Sequence, residues 1–154
     1  VKKSLLGLAG ETCPTMLNYA VHAKAGSLYN TPPVFAIYMA CLVTRWLKKE
    51  GGVAEMDRRA RERSSLIYDV IDKSSGFYIN RIAPEARSRM NVVFHLAEDA
   101  LTDLFVKEAA DAGLVNLKGH RLAGGIRASM YNALPMEGAV ALANFMKVFA
   151  ARHG

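Results

Sequence analysis

The chain reads as an α+β protein, with helices packed on one face of a small mixed or antiparallel sheet. Three observations predict it. Apolar residues recur at helical spacing over 53–73, 98–112 and 136–152. They alternate at strand spacing over 89–96 and 126–131. The two periods also interleave. From residue 53 the order is helix, strand, strand, helix, strand, strand, helix, which suits a sheet covered on one side.

Residues 1–26 are irregular, with one short strand expected over Met16–Ala23. His22, near its end, reads as a structural or solvated histidine rather than a ligand. SLYNTPP (27–33) then sets up a helix. Asn30 or Thr31 is a capping residue, and Pro32 and Pro33 suit a first turn, where a missing amide costs nothing. The helix should run from Pro32 to about Lys49 and stop at Gly51-Gly52, with Lys48 and Lys49 in its last turn. A helix start with free amides is a phosphate site in principle, although an ordinary capped start is commoner. From Val34 to Val43 the helix is apolar on almost every side. It is therefore expected to be buried all round, or else to leave an apolar patch that invites self-association.

In the helix over 53–73, Val53, Met56, Ala60, Ile67 and Ile71 mark the inward face. The other face carries Glu55, Asp57, Arg58, Arg59, Arg61, Glu62 and Arg63. Acids at three- and four-residue spacing from these arginines predict a solvated, ion-paired face, not a nucleic-acid stripe. Phe77–Asn80 is a short strand. Arg89–Leu96 is a half-buried one, with Met90, Val92, Phe94 and Leu96 inward and Arg87 and Arg89 as surface charges at its start. The helix over 98–112 points Leu101, Leu104, Phe105 and Ala109 inward and ends at Gly113. Leu114–Lys118 is read as a strand. The last helix faces the core with Val140, Phe145 and Val148 or Phe149.

Composition narrows the function. The 154 residues are 51% hydrophobic and carry a net charge of +6. A globular chain with affinity for anions fits these values. Nucleic acid is disfavoured because no recognition motif is present and the bases sit beside acids. Two cysteines, Cys13 and Cys41, without C-x-x-C or Cys/His ligand spacing, point to no metal site and to a reducing cytoplasm. The longest apolar run is too short to span a bilayer.

One stretch concentrates chemistry: KGHRLAGGIRASMYNALP, residues 118–135. Lys118, His120, Arg121 and Arg127 surround the pair Gly124-Gly125. Arginine forks onto carboxylate or phosphate with two parallel hydrogen bonds. Histidine adds a donor whose charge switches near neutral pH. Glycines let the backbone turn sharply or approach a ligand closely. Beyond them the alternation of Ile126, Ala128 and Met130 against Arg127, Ser129 and Tyr131 predicts a strand that holds Arg127 rigidly. This is a receptor for a small ligand with two or more negative groups, with Arg127 and the His120–Arg121 pair aimed into one hollow. The plain alternative is a solvated basic loop.

KGHR…GGIRASMYNALP resembles the C-terminal signature of the phosphoserine aminotransferases, class-V pyridoxal-phosphate enzymes of fold type I. SLYNTPPVFAIYM, GGVAEMDRRARERSSLIYDVID and RSRMNVVF are similar to the same family and fall in its order, so the resemblance covers nearly the whole chain. It implies a remnant of the large cofactor-binding domain over 1–50, including the Pro32–Lys49 helix, and a small substrate-binding domain over 51–154. It implies that Asn30 and Thr31 reach the phosphate of pyridoxal phosphate in the neighbouring active site of a homodimer. It implies that Arg127 takes the substrate α-carboxylate, while His120 and Arg121 take the phosphate of phosphoserine or the distal carboxylate of glutamate. The implied reaction is reversible amino transfer between O-phosphoserine and 2-oxoglutarate, in serine and also pyridoxine biosynthesis.

The family's cofactor-holding lysine and the acid facing the pyridine nitrogen lie in its large domain, and none of the nine lysines here stands in that context. Val1 stands where an initiator methionine is expected, and the resemblance implies a fragment. No catalytic residue is therefore expected within this chain, and no turnover from it alone. A stand-alone anion-binding α+β module is the competing class.

Overall fold

The structure, a computed structural model, describes all 154 residues, Val1–Gly154. They form two compact units, Val1–Trp46 and Leu47–Gly154.

The first unit contains 3-10 turns at Lys3–Leu5 and Thr15–Leu17, helix α1 (Tyr19–Lys24) and most of helix α2 (Val34–Lys49). The strand expected over 16–23 is replaced by turn and helix. Asn18 supplies the cause, since its Oδ1 accepts the Ala20 amide at 3.0 Å and caps α1. His22 is structural. Its Nε2 lies 2.8 Å from the Met16 carbonyl, and its ring meets Tyr29 edge-on at 6.1 Å.

Helix α2 begins at Val34, two residues later than expected from sequence. The Val34 amide donates to the Pro32 carbonyl at 2.8 Å and the Ile37 amide to the Pro33 carbonyl at 3.0 Å. Pro33, not Asn30 or Thr31, thus stands at the threshold. The helix buries none of its residues, and Val34, Phe35, Ile37 and Tyr38 are each more than half exposed. The exposed apolar patch is the expectation that holds.

The second unit is built on α3 (Gly52–Asp72), whose buried face is Met56, Ala60, Arg63, Ser64, Ile67, Val70 and Ile71. Two side chains depart from the expected pattern. Val53 is 86% exposed because it sits in the first turn, ahead of the core, and Arg63 is only 2% exposed. The solvent face is ion-paired as expected, with Arg59–Glu55 at 2.7 Å, Arg61–Asp57 at 2.9 Å and Arg58–Glu55 at 2.8 Å.

Strands β1 (Tyr78–Ile79), β2 (Asn91–Leu96) and β3 (Ile126–Ser129) form an antiparallel sheet with β2 in the middle. Val93 opposes Arg127, and Phe94 opposes Ile126. Residues 114–118 are not a strand. Asn116 takes a left-handed φ of 63°, which breaks the run and leaves a single bridge from Lys118 to Ile126. Val92, Phe94, Leu96, Ile126 and Ala128 are buried on the inner face. Asn91, Val93, His95, Arg127 and Ser129 lie half-buried on the outer face.

Helices α3, α4 (Leu101–Asp111) and α5 (Met136–His153) pack with the inner face into one core. Phe105 is its centre. Its ring meets those of Tyr78, Phe94, Phe145 and Phe149 at 5.0–6.1 Å. Burying each such ring contributes roughly 1.5–3 kcal/mol. The Tyr78 hydroxyl donates to the Met146 carbonyl at 2.8 Å, tying β1 to α5. Burial pushes the Tyr78 pKa up, so the proton stays in this bond.

The inward phase of α5 differs from expectation. Ala139, Leu142, Ala143, Met146 and Phe149 are buried, whereas Val140 and Val148 face solvent. Leu104 of α4 is likewise at the surface. Arg87 is more than a surface charge. It grips Asp72 through both terminal nitrogens at 2.7 and 2.8 Å and lies 4.7 Å over the Tyr68 ring.

Candidate functional site

The loop 118–125 hangs between the end of α4 and the start of β3. Its base is closed by two backbone bonds: Gly119 N–H to the Gly125 carbonyl at 2.8 Å, and Arg127 N–H to the Leu117 carbonyl at 2.8 Å. Gly119 has to be glycine. A Cβ there would fall 2.0 Å from the Gly124 oxygen and 2.7 Å from the Gly125 oxygen. Gly125 has φ +64°, and a Cβ on it would meet the Phe94 carbonyl at 2.6 Å. The sequence marked Gly124-Gly125 and gave Gly119 no role. Its placement between Lys118 and His120, in a loop with two further glycines, was the available signal.

Arg127 projects from β3 onto the outer sheet face. Its Nε is buried without a hydrogen-bond partner, and its guanidinium takes part in no ion pair. Other arginines of the second unit are engaged: Arg58, Arg59, Arg61, Arg87 and Arg89 each hold a carboxylate. A half-buried guanidinium lacking an acceptor is costly to keep, and an anionic ligand supplies what is missing.

His120 and Arg121 lie in the same loop and are exposed. His120 Nδ1 accepts the Leu122 amide at 3.3 Å. In the neutral ring this leaves the proton on Nε2, which can donate outward. Arg121 forms no ion pair. Lys118 is engaged by Asp103 at 3.3 Å. Loop and strand thus bring His120, Arg121 and Arg127 to one region of the second unit. The cavity beside Arg127, about 520 Å³, is lined by 113–117, Arg127–Tyr131 and the start of α5, and by neither His120 nor Arg121. Both of those side chains are exposed.

Asn30 and Thr31 belong to the first unit and are exposed just ahead of α2. The Asn30 amide donates to Met16 Sδ at 3.1 Å, a weak acceptor easily exchanged for a better one. Neither residue caps the helix. Both leave uncharged donors near the positive end of a 16-residue helix, a donor set that fits a phosphate. No three His, Cys, Asp or Glu side chains are grouped to hold a metal ion. Cys13 and Cys41 are free thiols. No helix is long and apolar enough to cross a membrane.

The aminotransferase class-V family model matches residues 2–142. Phosphoserine aminotransferase of Chromobacterium violaceum is 52% identical over all 154 residues, which span 42% of that protein's length. Phosphoserine aminotransferase from Bacillus circulans subsp. alkalophilus superposes with a TM-score of 0.89 at 45% identity, covering 100% of this chain and 43% of that one. The pyridoxal-phosphate-bound phosphoserine aminotransferase of Trichomonas vaginalis superposes at 0.79 with 40% identity, covering 90% of this chain and 40% of that one. The chain belongs to the class-V aminotransferase family, and it spans about two fifths of the length of the relatives it matches.

Proposed function

We propose that this chain is the substrate-binding, C-terminal portion of a pyridoxal-phosphate-dependent phosphoserine aminotransferase. The reaction is reversible amino transfer between O-phospho-L-serine and 2-oxoglutarate, giving 3-phosphohydroxypyruvate and L-glutamate. The observation that carries this reading is Arg127, a half-buried arginine without a protein acceptor at the root of a basic glycine loop. Its membership of a family whose similar relatives are phosphoserine aminotransferases supports the substrate class.

Each residue has a part in that reaction. Arg127, held on a strand, forks onto the α-carboxylate and sets the bond to be broken in a fixed direction, which is worth several powers of ten in rate. Arg121 and the Nε2 proton of His120 take the phosphate of phosphoserine or the distal carboxylate of glutamate. Asn30 and Thr31 hold the phosphate of the cofactor, in a homodimer whose site is shared across subunits. When bound, pyridoxal phosphate supplies the electron sink and carries the amino group. The enzyme works in the cytoplasm, in serine biosynthesis and also in pyridoxine biosynthesis.

The test is an assay of the full-length enzyme containing this chain, with phosphoserine and 2-oxoglutarate and glutamate as the readout. Glutamate should form with the full-length enzyme and not with residues 1–154 alone. Phosphoserine binding without glutamate formation by the full-length protein would instead establish an anion-binding module.

A further inference from the structure

On the outer sheet face, one residue beside Arg127 has no part in the reading above. His95 of β2 is two positions from Val93, the residue opposite Arg127, and it faces Ile79 of β1 on its other side. Side chains placed diagonally in this way come within reach of one another when one of them is long. Continuing the same ladder past Phe94 and Ile126 puts His95 beside Gly125.

Contact confirms the placement. A Cβ on Gly125 would lie 2.9 Å from both Cε1 and Nδ1 of the His95 ring. The imidazole therefore rests flush against the backbone at the hinge between the His120–Arg121 loop and the strand carrying Arg127. Gly125 is excluded from being any other residue partly by this ring.

The ring is also chemically uncommitted. His22 is engaged by the Met16 carbonyl and His120 by the Leu122 amide, while His153 Nε2 lies 3.4 Å from Glu108. His95 makes no hydrogen bond within the chain, although it is half-buried on a face that also holds an arginine lacking an acceptor. A neutral imidazole carries one N–H donor in either tautomer and two when protonated. Such a group lies on the same face as Arg127 and at the root of the loop bearing Arg121.

We propose that His95 is a further substrate-binding residue of this site: its imidazole, seated on Gly125 beside Arg127, donates a hydrogen bond to the bound dianion and favours the doubly anionic substrate. The inference rests on the function proposed above. It assigns His95 specificity between the two charged ends of the substrate and no role in proton transfer at the α-carbon.

The experiment uses the full-length enzyme with His95→Leu, which keeps bulk and removes the donor, and His95→Gln, which keeps a donor. Arg127→Ala is run in parallel. His95→Leu should raise the KM for O-phosphoserine about tenfold, the loss of one hydrogen bond to a charged group, with kcat little changed. His95→Gln should recover most of that loss, and both variants should melt with the wild type. An unchanged KM in His95→Leu overturns the proposal. So does an equal loss in the Leu and Gln variants, which would make the ring a packing element only. If Arg127→Ala raises KM while His95→Leu does not, only the His95 assignment fails. If neither does, the anion site itself is misplaced, and both readings fall together.

Discussion

Arg63 reaches from the middle of α3 to the turn that follows β3. Its Nη1 donates to the Leu134 carbonyl and, at 3.3 Å, to the Asn132 carbonyl. The same turn is closed by the Leu134 amide on the Tyr131 carbonyl at 2.9 Å. Arg63 therefore fixes where the sheet ends and α5 begins. No carboxylate faces it. Burial pushes its pKa down, and its Nε and Nη2 are without partners.

Replacing Arg63 by Met fills the site but strands two carbonyls, so the expected destabilisation is about 1–3 kcal/mol. Urea unfolding of the full-length enzyme measures it. The KM for phosphoserine should not change, because Arg63 is not among the proposed anion contacts. A variant as stable as wild type would show that water serves those carbonyls equally well.

Arg127 and Arg121 should separate by substrate. On the proposed assignment, in which Arg127 binds the α-carboxylate, Arg127→Ala should weaken every amino- and keto-acid substrate alike. Arg121→Ala should act only through distal groups, on phosphoserine and glutamate, and should spare an amino acid with an uncharged side chain. Each loss is expected at about 1.5–3 kcal/mol, that of a hydrogen bond to a charged group. Steady-state kinetics with the two substrate classes decides the matter. Identical profiles for the two variants would refute the division of roles.

Gly119 offers a test of the loop without touching a charged side chain. The Cβ of Gly119→Ala would overlap the Gly124 and Gly125 carbonyl oxygens at 2.0 and 2.7 Å, and backbone cannot step aside as a flexible side chain can. The loop base must open, carrying His120 and Arg121 with it. Phosphoserine KM should rise by more than that of an amino acid lacking a distal anion, with a stability loss of about 1–3 kcal/mol. Equal KM changes for both substrates would place the damage at Arg127 instead of in the loop.

What the sequence made legible follows how strongly each residue's surroundings are dictated locally. Strand β2 was readable because Val92, Phe94 and Leu96 alternate with polar or smaller neighbours on a sheet with one open face. The buried stripe of α3 was readable for the same reason at helical period. The helix over 136–152 was readable, but its buried face was not, because apolar residues lie on nearly all its sides and the true core face is marked by the small Ala139 and Ala143. Arg63 was assigned to solvent because its backbone acceptors, 69 and 71 residues away, exist only in the folded chain. The residue types of the candidate site stand in the sequence, but the closure of the loop at Gly119, through its amide on the Gly125 carbonyl, is encoded by no periodicity.

Glu55 makes the acid limb of the stability curve testable. Hydrogen bonds from Arg58, and then from Arg59, hold its carboxyl at about 2, against an ordinary 4.5. The folded value lies below the unfolded one. The stabilising contribution is therefore complete above pH 4.5 and is lost as pH falls toward about 2. Both arginines remain charged throughout, so only the carboxylate titrates. The pairs are partly exposed to solvent and should weaken with salt. In Glu55→Gln the melting temperature should be lower than wild type at neutral pH and should converge on it as the acid limit is approached. Raising ionic strength should narrow the neutral-pH gap. Thermal melts across this pH range at low and high salt measure both effects, and a gap that is constant with pH would show that Glu55 contributes through packing and not through its charge.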